Sequence, residues 1–112
     1  MNRLSFCVLS IATLALLPIL ASQSGATDGK AIFESLHCGS CHKPDIEKTG
    51  TSLKQVARTY GDQSKLVAYL EGKSEPIIEP EKQAVMRGQL KKIAKLTGEE
   101  RQALADYILS FK

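Results

Sequence analysis

Five consecutive residues, Cys38-Gly39-Ser40-Cys41-His42, restrict what this chain can become more than any other feature. Two thiols separated by two residues, with an imidazole next in line, put three strong ligating groups in one turn of backbone. A dithiol redox site would set that turn between strands and helices of an α/β unit, and no strand pattern lies on either side. A closed zinc site wants four nitrogen or sulfur ligands. Beyond residue 26 the cysteines and histidines are His37, Cys38, Cys41 and His42, adjacent side chains that make a poor tetrahedron. A structural disulfide also satisfies the spacing, but it leaves His42 without a role. The pentapeptide is also the pattern associated with c-type haem attachment, both thiols adding to vinyl groups of one porphyrin edge and His42 standing over the iron as proximal ligand, and this reading gives the histidine a role that a disulfide does not.

The amino terminus sets the compartment. Asn2 and Arg3 open a short basic start, residues 4–20 form an almost unbroken apolar run, and small residues fill 21–26. That order predicts a secretory signal peptide over residues 1–26, cut after Ala26, with Ala21 and Ser24 as other residues that can precede the cut. The domain is then residues 27–112, and its location the periplasm. An uncleaved membrane anchor is the competing reading, since an apolar run of roughly 18 residues reaches the lower limit for spanning a bilayer. Ser5, Ser10, Thr13 and Pro18 weaken it. Cys7 falls inside the signal segment, so Cys38 and Cys41 are the cysteines of the mature chain.

A domain of this size buries only about 60 to 65% of its unfolded surface, and such domains usually carry a staple. The chain has no tryptophan and 5% aromatic residues, a thin core that a covalently held cofactor would complete. The chain has 15 basic and 12 acidic side chains; without Arg3 the mature balance is 14 to 12, or +2, which is no nucleic-acid-binding balance.

Periodicity after residue 26 is helical throughout. Asp28 can cap a first helix in which Ile32, Phe33 and Leu36 share a face and which ends about where the cysteines begin. Residues 43–52 lack a period and form a loop. Leu53, Val56, Ala57 and Tyr60 mark a second helix that Gly61 ends. A third runs from about Ser64 to Glu71, turning Leu66, Val67 and Leu70 or Tyr69 inward. Pro76 and Pro80 hold an extended stretch, and Pro80 suits the first turn of a short helix through Ala84 that delivers Met86. Thr97 and Glu100 form a capping box for a last helix over residues 98–112, with Leu104, Tyr107, Ile108 and Phe111 on one stripe. The fold class is all-α with long loops.

Met86 is the sole methionine besides Met1. Methionines mostly fill cores, but with a haem already implied, a thioether after a proline-bounded segment is the better sixth ligand, and one that raises the reduction potential. His37 adjoins the attachment turn and cannot easily reach the opposite haem face. Lys82, Lys91 and Lys92 are rivals only if Met86 is displaced.

In these residues the chain resembles the class I monohaem cytochrome c family, especially its small bacterial members exported to the periplasm. The resemblance rests on Cys38-Gly39-Ser40-Cys41-His42, Gly29 with Phe33, Met86, and Leu104 with Tyr107. It implies about four to five helices around one covalent haem c, first and last helices crossing near Gly29 and Tyr107, and iron held between His42 and Met86. Members often carry proline after the glycine that follows the haem loop, its carbonyl orienting the axial histidine. Here the sequence reads Gly50-Thr51-Ser52-Leu53, so Thr51 offers the carbonyl without proline's rigidity. The axial methionine is often followed by proline too, whereas Met86 precedes Arg87 and Gly88.

With both axial positions filled, the expected activity is outer-sphere electron transfer by a carrier, not an enzyme. The resemblance implies redox partners of a respiratory chain: a cytochrome complex or dehydrogenase as donor, and a terminal oxidase or reductase as acceptor. The carrier itself is expected to be a monomer. Lys43, Lys48, Arg87, Lys91, Lys92 and Lys95 can ring the haem edge and steer an acidic partner, or simply form a solvated face. Two other classes compete: a haem sensor or weak peroxidase in which Met86 leaves the iron open, and a haem-free thiol or metal-binding module.

Overall fold

The computed structural model describes residues 27–112. The expected signal segment, with Cys7, lies outside the described residues. Among those described, all regular structure is helical: α1 (Gly29–Ser35), α2 (Leu53–Tyr60), α3 (Gln63–Leu70), α4 (Ala84–Ile93) and α5 (Gly98–Leu109), with 3₁₀ turns at Cys38–Ser40 and Pro80–Lys82.

Four helices start on the side chain their sequence supplies. Asp28 Oδ1 accepts from the amides of Lys30 at 3.0 Å and Ala31 at 3.4 Å. Ser52 accepts from Gln55, Asp62 from Lys65 and Thr97 from Glu100. Each such cap contributes about 1 kcal/mol by satisfying an amide that has no intrahelical partner. Helix α4 has no side-chain cap and grows directly out of the preceding 3₁₀ turn. At the other end of α2, Gly61 takes a positive φ of 77°, which glycine adopts without strain, and the helix stops there.

The amphipathic faces converge on α5, which packs against α1, α2 and α3. Leu104, Ala105 and Ile108 of α5 meet Phe33, Leu53, Tyr60, Leu66, Tyr69, Leu70 and Ile93 in one buried cluster. Leu66 and Leu104 are almost wholly enclosed, worth about 1.5 to 3 kcal/mol each in transfer alone. The α1 and α5 helices cross at Gly29, where a Cβ would lie 2.0 Å from the Ala103 carbonyl oxygen and 2.9 Å from Tyr107 Cβ. Beside the crossing the Phe33 and Tyr107 rings meet edge to face at 5.2 Å. The expected crossing is therefore present, with Ala103 its tightest point.

Two helices differ from the sequence reading. The short helix expected to end at Ala84 is a 3₁₀ turn followed by the ten-residue α4, so Met86 sits on a helix instead of a loop. The last helix ends at Leu109, Phe111 being reached by a turn bonded to the Ile108 carbonyl. Among the described residues no helix is long and apolar enough to cross a membrane.

Candidate haem site

After α1 the chain reverses at His37, which adopts the left-handed φ of 58°. The 3₁₀ turn that follows stacks Cys38 and Cys41, whose amides and carbonyls close it: the Cys38 oxygen accepts from the Cys41 amide at 3.2 Å and from the His42 amide at 2.9 Å. Both thiols are free and half-buried. Burial pushes the Cys38 thiol up, a backbone hydrogen bond partly opposes it, and the neighbouring Cys41 adds to the rise. Lys43 folds back and donates its ammonium to the Gly39 carbonyl at 2.8 Å, pinning the turn from outside.

The loop after His42 returns to embrace it. The Gly50 amide donates to the Cys41 carbonyl at 3.0 Å, and the Leu53 and Lys54 amides donate to the carbonyls of Lys43 and Pro44. This brings the buried Thr51 beside the imidazole, and His42 Nδ1 donates to the Thr51 carbonyl at 2.7 Å. The acceptor beside His42 is thus the Thr51 carbonyl, offered without proline's rigidity. With Nδ1 carrying the proton, Nε2 keeps its lone pair, and it has no hydrogen-bond partner among the described residues. Gly50 lies flat against the ring: a Cβ there would come within 2.7 Å of Cε1 and 2.8 Å of Nδ1.

The imidazole and both thiols face a cleft of about 200 Å³ between the helices. Well-packed interiors tolerate few voids larger than one water, whose share of liquid volume is about 30 Å³. Phe33, Leu53, Val56, Leu66, Leu70, Ile78, Ile93, Leu104 and Ile108 line it, and so does Met86 from the first turn of α4. His37, at the rim, is exposed. Sequence reasoning passed over the polar groups on the methionine side. Tyr69 donates to Gln83 at 2.5 Å. Glu79 pairs with Lys82 at 2.8 Å and accepts from the Thr51 hydroxyl at 3.5 Å. Nothing local in the sequence pairs residues 14 and 28 positions apart.

A family model described as Cytochrome c matches residues 26–112. The chain belongs to the cytochrome c family. It is also similar to cytochrome c-551 of Stutzerimonas stutzeri, with 46% identity over 48 residues, a stretch covering 42% of this chain and 46% of that protein. The matched stretch thus spans about half of the relative's length.

Haem c, bound covalently, is the cofactor of this cytochrome c chain. The residues present fit it on three counts. The cleft is apolar and open where two free thiols stand at haem-attachment spacing. The return loop leaves room for the imidazole only because residue 50 has no side chain. The histidine's distal nitrogen is left as a base by the bond on the other side of its ring. No three histidine, cysteine or acidic side chains cluster as a metal site among the described residues, so a zinc reading finds no ligand set there.

Proposed function

We propose that Cys38 and Cys41 hold one haem through thioether bonds, that His42 and Met86 are its axial ligands, and that the chain carries single electrons between redox proteins of the periplasm. The observation that carries this reading is the bond from His42 Nδ1 to the Thr51 carbonyl, in a cleft that Cys38, Cys41 and Met86 also line. When bound, the haem supplies an iron that alternates between ferric and ferrous states. The protein's own groups decide how. Thr51 fixes the histidine tautomer and leaves Nε2 for the iron. Met86 offers a soft thioether, which raises the potential. The apolar walls exclude water, and with both axial positions taken no open site remains for oxygen or a substrate.

Export rests on the pattern of residues 1–26, which reads as a signal peptide preceding a domain at 27–112. The donor in this reading is a cytochrome complex or dehydrogenase and the acceptor a terminal oxidase or reductase. Arg87, Lys91, Lys92 and Lys95 are exposed on and just after α4 and can steer an acidic partner. Lys43 keeps its charge but has its ammonium turned to the Gly39 carbonyl, and Lys48 is exposed on the loop after His42.

Redox titration of protein matured with haem-attachment machinery tests the reading. The expected outcome is one haem per chain that resists acid extraction, a single reversible one-electron step, and no fast binding of carbon monoxide to the ferrous form. Fast binding to the native ferrous protein would contradict it and favour a sensor or peroxidase.

A further inference from the structure

The haem reading leaves one polar group without a task. Gln83 ends the Pro80–Lys82 turn, half-buried at the wall of the cleft. Its carbonyl oxygen accepts from the Tyr69 hydroxyl at 2.5 Å, and its amide nitrogen donates to the carbonyls of Ile78 at 2.9 Å and Glu79 at 3.3 Å. The network allows one orientation of the amide, because main-chain carbonyls only accept. Burial, with Tyr60 nearby, pushes the Tyr69 hydroxyl up to about 12, so it stays a donor.

The turn that Gln83 closes is not a relaxed one. Glu79 takes φ 41° and ψ 59°, a left-handed conformation that a residue with a side chain keeps only where its surroundings over-determine it. The bonds on the Glu79 and Ile78 carbonyls are part of that determination, together with the Lys82 amide on the Glu79 oxygen at 2.8 Å. Helix α4 begins on the next residue after Gln83 with no side-chain cap of its own. Its first turn therefore inherits its place from the turn before it, and Met86 lies three residues beyond Gln83.

We infer that Gln83 is a positioning residue for Met86: its amide, held by Tyr69, clamps the 78–82 turn and so sets where the first turn of α4 presents the thioether to the cleft. The inference rests on the reading of Met86 as second axial ligand. Breaking the clamp lets α4's first turn wander and raises the population in which the methionine is away from the iron.

The test uses the haem-loaded protein and three variants: Gln83→Leu, Tyr69→Phe and the pair. The thioether-to-iron charge-transfer band of the ferric form reports ligation, and the rate of carbon monoxide binding to the ferrous form reports the methionine-off population, both well below the thermal transition. Gln83→Leu should weaken the band and speed carbon monoxide binding about tenfold, since apparent binding scales with the competent fraction. Tyr69→Phe, which keeps the ring and the amide's two other bonds, should act in the same direction but less, and the double variant should equal Gln83→Leu alone. A general loss of stability would lower the melting temperature without moving either signal. Additive effects, or a Gln83→Leu protein with an unchanged band and rate, overturn the clamp. If the unsubstituted protein lacks the band, Met86 ligation itself fails and the clamp falls with it.

Discussion

His42 stands in a wall built from main-chain bonds, whereas Met86 stands in one built from side chains. On the histidine side the loop folds back through the Gly50, Leu53 and Lys54 amides, and the final contact to the imidazole is a carbonyl that any residue at position 51 would offer. On the methionine side the turn is held by Tyr69, Gln83, Lys82 and Glu79, one of them in a left-handed conformation, and Val85 is 64% exposed. Main-chain walls tolerate substitution of side chains but not added volume. Side-chain walls have room for volume and lose their shape when single polar groups are removed.

The largest effect should come where both walls share a foundation. Gly29→Ala would drive a Cβ to within 2.0 Å of the Ala103 oxygen, a backbone atom that cannot move without separating α1 from α5. The helix-propensity gain of about 1 kcal/mol is small against an overpacking cost of about 3 kcal/mol or more, so thermal melts should show a protein barely folded or not folded. One further substitution, made on each wall, then separates them. Gly50→Ala should cost about 1 to 3 kcal/mol and lower haem retention, because the methyl group meets the His42 ring. Gly88→Ala, in α4 with open space around it, should stabilise by about 0.5 to 1 kcal/mol. Chemical denaturation of both would break the comparison if the two changes had the same sign.

A smaller effect belongs to Glu79. The Lys82 ammonium bonded to it holds its carboxyl below the ordinary glutamate range. A carboxyl lowered in the folded state stabilises above its unfolded value and loses that contribution as the pH falls through the folded one. Unsubstituted protein should therefore melt above Glu79→Gln at neutral pH, and the two curves should meet in acid. The least effect on stability, and one confined to kinetics, is expected for Lys91→Gln with Lys92→Gln: slower reduction by the donor at low salt and a flatter salt dependence, read by stopped flow.

The sequence disclosed more of the histidine wall than of the methionine wall, for the same physical reason. Adjacent residues make the attachment turn, so its chemistry is visible as a string, and the crossing of α1 and α5 follows from a small residue and apolar spacing that the family resemblance placed together. Thr51 was legible because a carbonyl belongs to every residue. The short helix expected through Ala84 stops where α4 begins, so α4 itself has no counterpart in the sequence reading. Met86, Leu90 and Ile93 fall at i, i+4 and i+7, but no cap announces the start and Arg87, Gly88, Lys91 and Lys92 dilute the stripe. The Tyr69 and Gln83 pair, joined across α3 and α4's approach, had no signal in either segment alone.

Proton NMR of the ferrous, haem-loaded protein reads Met86 ligation from a single resonance. A methionine bound to iron holds its methyl group over the porphyrin face, where the ring current moves it far upfield of all other methyl signals. One such three-proton resonance is expected, present in the unsubstituted protein and gone in Met86→Ala. A Met86 methyl in the ordinary range, in protein that carries its haem covalently, would contradict Met86 ligation.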